Sequence, residues 1–73
     1  MWIKRKGCEA VNLEYVQSID TNVNDKSFCI KFYEIGDNVV TYYFATEKEF
    51  NEYYEALMDK IEAEEIVISS IKL

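Results

Sequence analysis

The spacing of the hydrophobic residues changes at Thr46, and this change limits the fold more than any other feature of the chain. Before Thr46, apolar and polar residues alternate in two segments, 27–34 and 38–45. Such alternation is typical of strands that are buried on one face. After Thr46, apolar residues recur at steps of three and four, which is the spacing of a helix. The sequence therefore predicts two strands followed by one helix.

The predicted helix covers about residues 47–64. Thr46 and Glu49 match a capping box, in which the Thr46 hydroxyl accepts from the Glu49 N–H and the Glu49 carboxylate reaches back. The segment contains no Gly or Pro. Its apolar stripe consists of Phe50, Tyr54, Leu57 and Ile61. We expect this stripe to pack on the sheet.

The two strands before the helix form a predicted hairpin. Gly36, Asp37 and Asn38 carry turn chemistry, and a three-residue loop there would place Phe32 opposite Tyr42. This pairing gathers one apolar layer, consisting of Phe28, Ile30, Phe32, Val40, Tyr42 and Phe44. We expect the helix to cover that layer.

The two ends of the chain add shorter strands. We predict a strand at 2–6 ended by Gly7, a short strand at 9–13, a bend at 14–15, a strand at 16–21 and a polar turn at 22–25. The spacing of Leu13, Val16 and Ile19 also fits a helical turn. The β-branched residues at 66–68 predict a closing strand, which pairs either within its own sheet or with another subunit.

These elements predict a single α+β domain over residues 1–73. It consists of an antiparallel sheet of about four to five strands, one long amphipathic helix packed on one face, and a short C-terminal strand. Aromatic residues make up 15% of the chain, which favours a packed core over disorder.

The chain offers no chemistry for catalysis. It has no His, no Gly-rich phosphate loop, and two cysteines, Cys8 and Cys29, without the spacing of a zinc site. We therefore expect no enzyme activity, no cofactor and no metal site. With no apparent signal peptide or membrane span, we expect a cytoplasmic protein with free thiols and no membrane partner. A single disulfide is the alternative.

Acidic residues are concentrated in the helix. Residues 46–65 alone account for the net charge of −6, and the rest of the chain is balanced. Four carboxylates with helical spacing define an acidic ridge: Glu52, Glu55, Asp59 and Glu62. The ridge is either an ordinary solvated face or an imitation of nucleic-acid phosphates, as in small acidic phage inhibitors. Without a basic patch, we expect no direct binding of nucleic acid.

The sheet face turned away from the helix is the second candidate surface, since one helix covers only one face. With the tail, it defines a candidate interface of Cys29, Lys31, Tyr33, Val39, Thr41, Tyr43, Ile66 and Ile68. Tyr is enriched at protein interfaces, so this surface predicts a homodimer. Trp2 could anchor a partner, but we expect it to be buried against the helix.

The opening of the chain resembles a group of small bacterial and phage proteins. The resemblance is carried by WIKRKG at 2–7 and by VNLEYVQSI at 11–19, which matches V/I-N-L-x-x-V-x-x-I. It covers most of the chain and implies a short pleckstrin-homology-like sheet capped by a helix, without implying an activity. The tail at 66–73 departs from this plan.

The leading hypothesis is a non-enzymatic, self-associating protein-interaction domain. One alternative is an acidic inhibitor that occupies a basic nucleic-acid-binding groove. Another is a small-molecule-binding regulator, with a pocket between the helix and the Tyr-rich strands, beneath Tyr42 and Tyr54.

Overall fold

The computed structural model describes residues 1–24 and 27–71. The elements are β1 (Trp2–Ile3), β2 (Val11–Asn12), a 3-10 helix (Leu13–Tyr15), β3 (Val16–Val23), β4 (Phe28–Glu34), β5 (Asn38–Phe44), α1 (Glu47–Ala63) and β6 (Ser70–Ile71). The main sheet has the strand order β5-β4-β3-β6, and β1 pairs with β2 in a separate two-stranded sheet. The predicted α+β fold, with one helix on the sheet and a short C-terminal strand, is confirmed.

The β4–β5 hairpin has the predicted loop length but a different register. The turn covers 35–37, with Gly36 and Asp37 at φ of 88° and 65°, and Asn38 already belongs to β5. Phe32 therefore lies opposite Val40 and not Tyr42. The register differs from the prediction by two residues. Because strand side chains alternate with a period of two, an even shift leaves both predicted faces intact.

The N-terminal third is less regular than predicted. The first strand is limited to Trp2–Ile3, and the second to Val11–Asn12. A 3-10 helix at Leu13–Tyr15 replaces the predicted bend, with the Asn12 side chain accepting from the Glu14 N–H at 3.1 Å. β3 extends to Val23, so the start of the predicted turn at 22–25 is strand. The end of that turn, Asp25, lies outside the described residues.

A β-bulge in β3 explains why its sequence fits both a strand and the three-residue spacing of a helical turn. Val16 lies opposite Glu34, but Ser18 already lies opposite Tyr33, so Gln17 is an extra residue. A bulge shifts the alternation of side chains by one position. Val16 and Ile19, three residues apart, can therefore both face the core, and both are buried.

The core lies between the main sheet and α1. Its buried members are Ile3, Val11, Leu13, Val16, Ile19, Ile30, Phe32, Val40, Tyr42, Phe44, Phe50, Leu57 and Ile61. Thr46 caps α1 as predicted, because its hydroxyl accepts from the Glu49 N–H at 3.2 Å. The Glu49 carboxylate lies instead 3.7 Å from Nη2 of Arg5. The helix thus covers the predicted apolar layer of the hairpin.

The chain reverses direction after α1 without a glycine. Glu65 has a φ of 54°, and the N–H groups of Glu65 and Ile66 donate to the carbonyls of Glu62 and Ile61. These two bonds form a Schellman motif, which turns the chain back toward the helix. Ile66 therefore packs against the core beside Ile61.

The C-terminal strand forms later in the tail than predicted and in the opposite sense. It covers Ser70–Ile71, not 66–68, and pairs parallel to β3 within the same chain. The sheet is therefore mixed rather than antiparallel. The last two residues of the predicted tail, 72–73, lie outside the described residues.

Candidate interaction surface

The face of the main sheet opposite α1, called here the outer face, is built from alternate residues of each strand. β3 contributes Ser18, Asp20 and Asn22, β4 contributes Cys29, Lys31 and Tyr33, β5 contributes Val39, Thr41 and Tyr43, and β6 contributes Ser70. Opposed residues share a face in a sheet, so the pairing register assigns these side chains. All six predicted β4 and β5 residues lie on this one face.

The outer face is polar on one side and apolar on the other. On β3, the outer-face positions Ser18, Asp20 and Asn22 are small or polar, and Asp20 lies opposite Lys31. On β5, Val39 is 47% exposed and Tyr43 is 65% exposed. The apolar character is therefore concentrated on β5, at one margin of the sheet. Sequence reasoning missed the β3 contribution, because the bulge hides which of its residues face outward.

Cys29 differs from the prediction of an accessible residue. It is only 3% exposed although it lies on the outer face, between Asn22 and Tyr43. A small side chain on a central strand is easily covered by larger neighbours on both sides. Cys8 and Cys29 are both free, as expected.

Residues 66–68 of the tail do not join the outer face. Ile66 and Ile68, predicted to belong to the interface, are half-buried and pack against the core. The Schellman motif at Glu65 is the physical reason, since it directs the chain back along the helix. Val67 is 89% exposed, but it stands between the two core-facing isoleucines. The structure therefore separates residues 66–68 from the Tyr-bearing face, and only Ser70 of the described tail lies on it.

The four carboxylates of the acidic ridge are all exposed on α1. At 1.5 Å of rise per residue, they form a row of about 15 Å. Lys48 lies one turn before the N-terminal end of the row, and its Nζ is 3.8 Å from Glu52 Oε1. An exposed pair of this kind contributes little to stability.

Trp2 lies beside the helix without being buried. The prediction of burial is wrong, because the side chain is 66% exposed. It lines a groove of about 240 Å³ between β1 and α1, together with Ile3, Lys4, Tyr53, Ala56, Leu57 and Lys60. β1 has only two residues, and the alternation along a strand turns Ile3 toward the core and Trp2 away from it.

Arg5 lies near the N-terminal end of α1, beside Glu49 and Phe44. Its guanidinium lies 4.3 Å above the Phe44 ring and approaches the Glu49 carboxylate. Cations attract the face of aromatic rings, so this contact anchors the N-terminal segment to the end of β5. Arg5 is thereby engaged within the chain.

Tyr42 binds the N-terminal segment from within the core. Its hydroxyl donates to the Glu9 carbonyl at 2.7 Å, and its ring lies 5.0 Å from Phe32 and 6.0 Å from Tyr53, centroid to centroid. Burial raises the pKa of Tyr42 to about 12, and the neighbouring Tyr53 adds to the shift. Aromatic rings thus pack against Tyr42, and Phe50 stacks on Tyr54 with 5.9 Å between ring centroids, where the sequence predicts a small-molecule pocket.

No group of three or more His, Cys, Asp or Glu in 1–24 and 27–71 is arranged to hold a metal ion. In the same part of the chain, no helix has the length and apolar character needed to cross a membrane.

Comparison with known proteins gives no match to any family model, curated protein or solved structure. The resemblance to small bacterial and phage proteins therefore rests on the residue pattern alone.

Proposed function

We propose that the chain is a non-enzymatic protein-interaction domain that associates with itself through the β5 side of its outer face. The observation that carries this proposal is the exposure of Val39 and Tyr43 on one strand of a face that α1 does not cover. Burying such side chains in an interface removes apolar area from water. Tyr is also enriched among the few interface residues that contribute most of the binding energy.

The position of the other apolar residues supports this surface over the tail. Ile66 and Ile68 pack against the core, which leaves Val67 and Ile71 as the exposed apolar side chains of the described tail, four residues apart. Isolated exposed hydrophobic residues are common on protein surfaces and indicate little, whereas clustered ones mark interaction sites. With both thiols free, we expect the domain to work in a reducing compartment, the cytoplasm.

The test compares a face variant with a tail variant. Val39→Ser with Tyr43→Ser removes the exposed apolar groups of β5, and Val67→Ser removes that of the tail. We expect the face variant to raise the dissociation constant of self-association by at least about tenfold, equivalent to about 1.4 kcal/mol. Val67→Ser should leave it unchanged. Sedimentation velocity measures both, and circular dichroism checks that each variant is folded. The opposite ranking would refute the choice of surface.

The acidic ridge favours a second candidate, an inhibitor that imitates nucleic acid. Its support is that Glu55, Asp59 and Glu62 are exposed without a cation within 4.0 Å in the described part of the chain. The test is competition with a labelled DNA duplex for a basic DNA-binding protein. A variant with the ridge carboxylates changed to amides should fail to compete, and equal competition by that variant would exclude the ridge.

A further inference from the structure

β5 leaves one complete edge of the main sheet open. It stands at the end of the strand order, and within the described residues its backbone pairs only with β4. In an edge strand, every second residue directs its N–H and C=O outward, where another strand can bind them. β5 therefore presents a row of backbone donors and acceptors to solvent.

This edge lacks the features that usually prevent pairing. Such features are charged side chains, Pro, bulges and short length. β5 has seven residues, none charged and none Pro, and pairs with β4 without a shift of register. The opposite edge ends in β6, which has only two residues. Of the two terminal strands of the described sheet, only β5 is long enough to pair over more than two residues.

We propose that two copies of the chain pair antiparallel through β5, centred on Thr41, so that Val39 of each copy lies opposite Tyr43 of the other. This inference rests on the self-association proposed above and specifies its geometry. The two four-stranded sheets then form one continuous eight-stranded sheet, with both α1 helices on the same side.

The positions of the exposed side chains identify a second copy as the occupant. Val39 and Tyr43 are each two residues from Thr41. Antiparallel pairing of identical strands about Thr41 therefore brings each Val39 against a Tyr43, twice. A β-branched residue opposite an aromatic residue is a favourable cross-strand pair. One arrangement thus brings all four exposed apolar side chains of the two strands into cross-strand contact.

Charge also favours the β5 edge as the place where two copies meet. Each copy carries a net charge of −6, but residues 38–44 contribute none of it. Two like-charged molecules approach most readily through neutral surfaces. Because the contact is the same patch on both copies, the pair is closed and both β5 edges are used, so the assembly stops at a dimer.

Disulfide trapping tests the geometry. Directly opposed residues in antiparallel strands have Cα atoms about 4.5–5.5 Å apart. This separation lies within the range of about 4.4–6.8 Å that a disulfide spans. Under mild oxidation, Thr41→Cys should therefore give a covalent dimer. Lys31→Cys, on the same face but on β4, should not, and the unmodified chain controls for Cys8 and Cys29.

The outcomes separate this inference from the proposed function. Dimers trapped by Thr41→Cys alone support edge pairing. Trapping by Lys31→Cys in place of Thr41→Cys indicates outer faces stacked on one another, which overturns edge pairing but keeps self-association. An unmodified chain that dimerises while neither variant is trapped also overturns it. A monomeric unmodified chain refutes both.

A charge exchange tests the predicted register without cysteines. Val39→Lys with Tyr43→Lys opposes like charges in both cross-strand pairs, whereas Val39→Lys with Tyr43→Glu opposes unlike charges. We expect the Lys/Glu variant to bind itself at least about tenfold more tightly than the Lys/Lys variant. The Lys/Lys variant has the smaller net charge, so general repulsion acts in the opposite direction. Equal affinities would overturn the register.

Discussion

At the residue scale, Tyr42 has the most specific role, because one hydroxyl joins β5 to the N-terminal segment. We expect Tyr42→Phe to lower the free energy of unfolding by about 1 kcal/mol, since the Glu9 carbonyl loses its donor. Urea unfolding followed by circular dichroism measures the change. Tyr15→Phe, at a residue whose side chain is 56% exposed, is the matched control and should be neutral. Equal effects of the two substitutions would show that the bond contributes nothing specific.

The pH dependence of stability follows from the same hydroxyl. The pKa of Tyr42 is raised to about 12 in the folded chain, against about 10 when unfolded. The folded state thus favours the protonated form of Tyr42. The contribution of Tyr42 to the free energy of unfolding is therefore complete below about pH 10 and is lost as the pH rises from about 10 to about 12. The difference in stability between the unmodified chain and Tyr42→Phe should shrink over that interval. A constant difference through pH 11 would contradict the assignment.

At the element scale, the end of α1 is strained at one position. Glu65 adopts a left-handed conformation that favours glycine, and its charge lies at the negative end of the helix dipole. We expect Glu65→Gly to raise the free energy of unfolding by about 1 kcal/mol. Glu64→Gly is the matched control, because Glu64 has a φ of −90° and loses the same charge. It should not stabilise, and thermal unfolding of the two variants distinguishes backbone strain from charge.

The elements whose pattern is local were predictable from the sequence. The capped helix and the two hairpin strands depend on spacing and turn residues within a few positions of each other. The bulge at Gln17 and the turn at Glu65 were not predictable, because each is selected by burial of distant residues rather than by its own residue type. For that reason the six hairpin residues of the candidate interface lie together, while Ile66 and Ile68 lie in the core.

At the scale of the whole molecule, the acidity of α1 should oppose the dimer. Each copy carries −6, and edge pairing would place both helices on one side of the sheet. Raising NaCl from about 0.01 M to about 1 M shortens the Debye length from about 30 Å to about 3 Å. We therefore expect tighter self-association at high salt, measured by sedimentation equilibrium. Changing the ridge carboxylates to amides should flatten this dependence. Weaker association at high salt would indicate contacts between opposite charges instead.

The mass of the unmodified chain in solution tests self-association most directly. The chain has a mass of 8.6 kDa, so a closed dimer has twice that value. In sedimentation equilibrium from low to high micromolar concentration, we predict a weight-average mass that rises from the monomer value and levels off at the dimer value. A mass that stays at 8.6 kDa across the whole range would contradict the account.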